Sequence, residues 1–123
     1  MNQLKISSVF LFTNIFFTIY NGNYILLITE IPVATTSVLY HHNLVKDIRV
    51  TDILCAHYAF WFHMYFANIY SNTAIYLYIL CPILYIFSLI YKENKDIAYI
   101  FHAGVHYMLT IGTIFLNSEM RIV

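Results

Sequence analysis

Three long runs of uncharged residues constrain this sequence more than any other feature. The runs cover residues 6–29, 53–91 and 97–118. A helix that spans a bilayer needs about 20 consecutive, mostly apolar residues, so each run can supply at least one such helix. Charged side chains make up only 10% of the chain, whereas about 25% is usual in soluble domains, which need a polar surface. The sequence therefore predicts an all-α integral membrane protein.

Polar breaks divide the apolar runs into about five predicted spans within one transmembrane domain, residues 1–123. The turn signal Asn21-Gly22-Asn23 ends the first span, and polar connections follow at 43–51 and 91–96. Ser71-Asn72 separates the third span from the fourth. We therefore expect a polytopic transmembrane helix bundle. Its spans are predicted at about residues 4–20, 24–42, 52–70, 73–91 and 97–117.

The number of spans depends on how residues 30–32 are interpreted. On a helix, Glu30, Ser37 and His41 fall within a narrow stripe of one face, because successive residues are rotated by about 100°. This stripe favours one continuous second span, since neighbouring helices in a bilayer can accommodate a kink at Pro32. Alternatively, residues 30–32 form a loop, the first span is longer, and the chain has four spans rather than five.

The positions of lysine and arginine predict the orientation, because cytoplasmic loops of membrane proteins are enriched in these residues. With five spans and a cytoplasmic N-terminus, Arg121 lies on the outer side and the other basic residues lie on the cytoplasmic side. The formal net charge is zero and no basic cluster is present, which argues against nucleic acid as a partner. The expected partner is a membrane lipid, in an organelle that the sequence does not indicate. The basic residues on the cytoplasmic side are Lys5, Lys46, Arg49, Lys92 and Lys95.

Two histidines on the last predicted span form the first candidate site. His102 and His106 lie four residues apart, so on a helix both imidazoles project from one face, with Cβ atoms about 5–6 Å apart. This spacing lets one helix offer two nitrogens to a metal ion. The pair alone is weak evidence, because membrane histidines also hydrogen bond to neighbouring helices. His41 supplies a third imidazole near the same end of the bundle, and three ligands with one open position are typical of catalytic zinc.

Two further residues have predicted roles beside the three histidines. Asp52, at the start of the third span, can act as general base for a metal-activated water. Ser37, one turn before His41, can donate a hydrogen bond to a developing oxyanion. Each residue also has a structural interpretation, Asp52 as a helix N-cap and Ser37 as a small residue between packed helices. The remaining histidines are interpreted as structural or interfacial: His42, His57 and His63.

These residues together resemble the motifs of the CREST superfamily of membrane hydrolases. That superfamily includes alkaline ceramidases, adiponectin- and progestin-type receptors, and GPI-remodelling phospholipases. Residues 52–56 are similar to the GPI-remodelling branch, and residues 102–112 are similar to the ceramidase ending. The resemblance rests on Ser37-x-x-x-His41, on Asp52 eleven residues later, and on His102-x-x-x-His106.

The resemblance implies a zinc site and a role for each motif residue. In that superfamily three histidines bind Zn, an aspartate holds the zinc-bound water, which is the nucleophile, and a serine assists nearby. The family has seven transmembrane helices, so this chain resembles a shortened five-helix member. The missing pair falls between the aspartate helix and the last helix, where it helps to wall the lipid chamber, and self-association into a homo-oligomer could complete that chamber. The implied Zn ligands are His41, His102 and His106, and the implied catalytic residues are Asp52 and Ser37.

Three functions are compatible with this pattern. The leading hypothesis is an integral membrane, zinc-dependent hydrolase of a lipid amide or ester, either ceramidase-like or phospholipase-like. The alternative is a non-catalytic multi-pass protein that retains the metal as a structural clamp between its second and fifth helices. A third and weaker hypothesis is b-type haem ligation by histidines on two helices.

Overall fold

The computed structural model describes residues 2–120, which form five α-helices without any strand. A short 3-10 turn, Tyr24–Leu26, precedes the second helix. The predicted all-α class is therefore confirmed, whereas the predicted position of Arg121 lies outside the described residues. The helices are α1 (Asn2–Asn21), α2 (Leu27–His41), α3 (Arg49–Tyr70), α4 (Asn72–Ile90) and α5 (Lys95–Glu119).

The helix bounds agree with the predicted spans to within about three residues, and two details are corrected. α2 continues through Glu30 and Pro32, so the alternative that places a loop there is wrong. α3 begins three residues before Asp52, and its N-cap position is occupied by Ile48. The prediction that Asp52 caps this helix is wrong, because its carboxylate instead accepts a hydrogen bond from Thr36 of α2 at 3.1 Å.

Short connections make consecutive helices neighbours. Gly22 closes the α1–α2 turn with a φ of 74°, a left-handed conformation that costs glycine little. Ser71 separates α3 from α4 and caps α4 by accepting a hydrogen bond from the Ala74 amide at 3.1 Å. Asn94 caps α5 in the same way, at 3.4 Å from the Ile97 amide. These local signals place each helix antiparallel to the one before it.

The bundle closes through α1 and α5, which run parallel to each other. Ser7 contacts His106, and Thr18 contacts Asn117, so an advance of eleven residues along one helix matches the same advance along the other. α5 packs against both α4 and α1, while α2 packs against α1 and α3. The N-terminus, the α2–α3 connection and the α4–α5 connection consequently share one end of the bundle.

Polar residues are concentrated inside the bundle and apolar residues outside it. The buried side chains include Ser, Thr, Asn, His, Asp and Glu, whereas Ile, Phe, Leu and Tyr dominate the exposed surface. By length and composition, α4 and α5 are the two described helices that could cross a membrane. These two helices are weak evidence for membrane association.

A buried polar cluster lies at the end of the bundle where α1 turns into α2. Glu30, which is 2% exposed, accepts a hydrogen bond from Thr18 at 2.8 Å and lies 3.2 Å from His63 Nε2. Thr18 also accepts a hydrogen bond from Asn117 at 3.0 Å, and Asn117 accepts one from Asn23 at 3.0 Å. The cluster therefore joins α1, α2, α3 and α5 at one level.

Candidate metal centre

Three histidines from two helices converge at the other end of the bundle. His41 is the last residue of α2, and His102 and His106 lie one turn apart on α5. One ligand atom from each lies within 4.8 Å of the other two. The ring centroids form a nearly equilateral triangle with sides of 5.0, 5.2 and 5.1 Å. His41 and His106 are buried, and His102 is half-buried.

The chemistry of this group fits a metal ion. His41 Nε2 is buried and has no hydrogen-bond partner among the described residues, which is costly because a buried polar atom has lost its contact with water. Three convergent imidazoles form a common set of zinc ligands. Nitrogens arranged tetrahedrally at the usual ~2.0–2.1 Å from zinc would lie about 3.3 Å apart. Small side-chain rotations would bring the three nitrogens together from a separation of up to 4.8 Å.

Ser7 of α1 contacts the imidazole of His106 through the ring nitrogen Nδ1. Its Oγ lies 2.8 Å from His106 Nδ1 and donates a hydrogen bond to the Leu4 carbonyl at 3.0 Å. On the opposite side of the ring, His106 Nε2 faces α2, at 3.5 Å from Ser37 Oγ. His106 therefore presents Nε2 rather than Nδ1 towards the helix that carries His41.

Asp52 and Ser37 line the same cavity as the three histidines. The cavity has a volume of about 470 Å³ and is partly open, and all five helices contribute to its wall. Thr36 fixes Asp52 by donating to its Oδ1 at 3.1 Å, and Asp52 itself is 8% exposed. The structure thus brings all five sequence-predicted residues to one cavity. Its apolar wall includes Leu11, Val33, Phe60, Trp61, Leu89 and Leu109.

The remaining histidines lie outside the three-imidazole group. His42 faces α1, with its Nε2 at 3.4 Å from the Lys5 carbonyl, and His57 is exposed on α3, where it contributes to the wall of the cavity. His63 belongs to the polar cluster at the opposite end of the bundle. The contacts described for His42 and His63 are with residues outside the cavity, whereas His57 borders the cavity without belonging to the three-imidazole group.

Sequence reasoning missed Ser7 and Thr36, although both contact candidate functional residues. Ser7 lies in the first apolar run beside a second serine, Ser8, and nothing in the local pattern distinguishes the two. Thr36 immediately precedes Ser37, where it resembles any small polar residue of a helix. Only the packing of α1 against α5, and of α2 against α3, reveals the two contacts.

Comparisons with known proteins provide no relative for this chain. No protein-family model, no curated protein and no solved structure matches it. The geometry of the three histidines is therefore the basis on which a function can be proposed.

Proposed function

We propose that this protein is an integral membrane, zinc-dependent hydrolase that cleaves an amide or ester bond of a lipid. One observation carries the proposal: three convergent imidazoles lie in the wall of a cavity that also contains Asp52. A structural zinc site is closed by four protein ligands, whereas a catalytic site keeps one position open for water or substrate. Three histidines beside a cavity of about 470 Å³ match the second arrangement.

The apolar lining of the cavity supports a lipid as the substrate. The cavity wall contains aromatic and aliphatic side chains, such as Phe60, Trp61 and Leu109, beside the polar candidate residues. Such a wall can hold an acyl chain while polar groups orient the bond to be cleaved. The resemblance of the motifs to the CREST superfamily points to the same substrate class.

The residues of the cavity have distinct roles in the proposed reaction. His41, His102 and His106 would hold zinc, which when bound polarises a carbonyl oxygen and activates water at neutral pH. Asp52 Oδ1 is held by Thr36, so its carboxylate is positioned to take a proton from water and return it to the leaving amine or alcohol. The Ser37 hydroxyl can donate to the carbonyl oxygen as negative charge develops there.

The multi-pass topology is part of the proposal. Large apolar side chains dominate the exposed surface of the described residues, as expected for a surface in contact with lipid tails. Five basic residues lie at the same end of the bundle, either in the first turn or two of a helix or in the connections between helices: Lys5, Lys46, Arg49, Lys92 and Lys95. This distribution supports five spans with that end in the cytoplasm.

Metal analysis of the purified protein tests the zinc site. We expect about one zinc ion per wild-type chain, and loss of that zinc in His41→Ala and in His102→Ala. His42→Ala is the matched control, because His42 adjoins His41 but faces the Lys5 carbonyl, and this variant should retain zinc. Equal and negligible zinc in the wild type and the variants would refute the proposal.

A second candidate function is a non-catalytic membrane protein with a structural metal clamp. It is favoured by the placement of the histidines, since His41 ends α2 and the other two lie on α5. α2 and α5 have their main contacts with other helices, so a shared ion would tie them together. The effect of Asp52→Asn separates this function from the hydrolase, because only a hydrolase has a turnover that this substitution can abolish.

A further inference from the structure

Ser7 and Ser8 are neighbouring buried serines on α1, and one of them contacts a candidate metal ligand. Both serines are 0% exposed. Each hydroxyl donates to the carbonyl three residues earlier, Ser7 to Leu4 at 3.0 Å and Ser8 to Lys5 at 2.7 Å. This local bond is common for serine in helices. They differ in one respect, because only Ser7 contacts a candidate metal ligand, His106.

The local bond of Ser7 favours one direction for the Ser7–His106 hydrogen bond. A serine hydroxyl has a single hydrogen, and the hydrogen of Ser7 is directed to the Leu4 carbonyl. Because the Leu4 carbonyl can only accept, a Ser7 hydrogen directed there leaves Ser7 Oγ to accept from His106 Nδ1 at their 2.8 Å contact. The proton of a neutral His106 then resides on Nδ1, and the lone pair of Nε2, which lies 3.5 Å from Ser37 Oγ, is directed towards α2.

We propose that Ser7 is a positioning residue that holds His106 in the Nδ1–H tautomer, so that Nε2 is available to a metal ion. A metal-binding histidine characteristically donates its other ring N–H to an outer partner, which fixes the tautomer and the ring orientation. Such a partner is usually a carboxylate, a carbonyl or water, and here it is a serine hydroxyl. The inference rests on the proposed zinc site.

Ser7 also connects α1 to the metal centre. His41 ties the centre to α2, and the other two ligands belong to α5. Through Ser7, α1 supports the ring of His106 from the side opposite Ser37. Loss of the Ser7 hydroxyl would leave Nδ1 buried without this partner, and the ring would be free to adopt the other tautomer or to rotate.

Histidine ¹⁵N NMR on the metal-free protein tests the tautomer directly. In the wild type, the His106 signal, assigned by its loss in His106→Gln, should show the Nδ1–H form. Ser7→Ala should give a mixture of tautomers, whereas Ser8→Ala should match the wild type. If the His106 tautomer is the same in Ser7→Ala and Ser8→Ala, the inference is wrong.

Zinc affinity provides the second measurement. Loss of an outer partner typically weakens metal binding by about 10–100-fold, so we expect that increase in Kd for Ser7→Ala and no change for Ser8→Ala. A wild-type Kd equalled by both variants would overturn the role of Ser7 while leaving the zinc site intact. A wild-type protein that binds no zinc would instead overturn the proposed function itself. Helical content measured by circular dichroism verifies that both variants are folded.

Discussion

At the scale of single residues, His41 is the member of the histidine group whose environment best fits a metal ion. His106 has hydrogen-bond partners at both ring nitrogens, and His63 has partners at both of its own. His41 Nε2 is buried without one. A buried polar atom that lacks a partner costs free energy. A metal ion shared by the three histidines would remove that cost for His41 Nε2.

Asp52 allows catalysis to be separated from metal binding. Asp52→Asn keeps the size of the side chain but removes its ability to accept a proton. General acid–base groups contribute about 10²–10⁴-fold to rate, so we expect hydrolysis of a lipid amide or ester to fall by at least about 100-fold while the zinc content stays unchanged. Asp96→Asn, in the exposed first turn of α5, should leave both quantities unchanged. Full activity in Asp52→Asn would contradict the assigned role.

The buried Glu30–His63 pair should contribute to the free energy of unfolding. His63 Nδ1 is 2.8 Å from the Ala59 carbonyl, which can only accept, so Nδ1 carries a proton. One further proton must then lie between His63 Nε2 and Glu30 Oε2, 3.2 Å apart. Removal of one partner from such a buried pair leaves the other uncompensated. We expect His63→Ala to lower the free energy of unfolding by about 3 kcal/mol, as measured by denaturation in detergent.

Two variants control for this effect. Replacement of both partners by leucine should recover much of the lost stability, because an apolar pair has no polar group to satisfy. Glu93 is exposed in the α4–α5 connection, so Glu93→Gln should have the same free energy of unfolding as the wild type. If His63→Ala is as stable as the wild type, the pair contributes nothing to the fold.

At the scale of helices, local signals were sufficient to predict the elements but not their contacts. The apolar runs, the Gly22 turn and the Ser71 break all act within a few residues, and the helix bounds follow them closely. The sequence does not reveal that Asp52 lies inside α3 rather than at its cap, because the partner of its carboxylate, Thr36, is sixteen residues away on another helix. Likewise the partner of Ser7 lies 99 residues along the chain, beyond the reach of any periodic pattern. The three histidines were predictable as a group because spacing and common depth suggested their convergence.

The contact between α4 and α5 depends on a glycine. A Cβ atom at Gly112 would lie 2.6 Å from the ring of Tyr78, whose hydroxyl is also fixed by Thr113 at 2.9 Å. Gly112→Ala should therefore force the helices apart and destabilise the bundle by about 1–3 kcal/mol, measured by thermal or denaturant unfolding. An unchanged stability would show that the α4–α5 interface yields more easily than this geometry indicates.

Gly104 on the same helix provides the matched control. A Cβ atom there would meet the end of the Leu84 side chain at 3.2 Å, and a flexible side chain can move away from it. Alanine also favours a helix over glycine by about 1 kcal/mol. Gly104→Ala should consequently be neutral or slightly stabilising, in contrast to Gly112→Ala.

At the scale of the whole molecule, the two buried polar groups stand at opposite ends of a bundle with an apolar surface. The Glu30–His63 cluster joins α1, α2, α3 and α5 where α1 turns into α2. At the other end, where the α2–α3 and α4–α5 connections lie, α2 and α5 meet only through the three imidazoles and Ser37 among the polar contacts described. An ion held by the three histidines would therefore add a direct link between α2 and α5 at the end that carries the cavity.

Zinc should accordingly stabilise the whole bundle, and not only the cavity wall. A ligand that binds only the folded state adds about 2.7 kcal/mol when its concentration is 100 times its Kd, so thermal unfolding in detergent should shift upward with zinc and return on chelation. His41→Ala should abolish the shift, because it releases α2 from the two ligands on α5, whereas His42→Ala should preserve it. An equal shift in His41→Ala would mean that zinc acts elsewhere on the protein, since His41 is the one histidine of the group that belongs to α2.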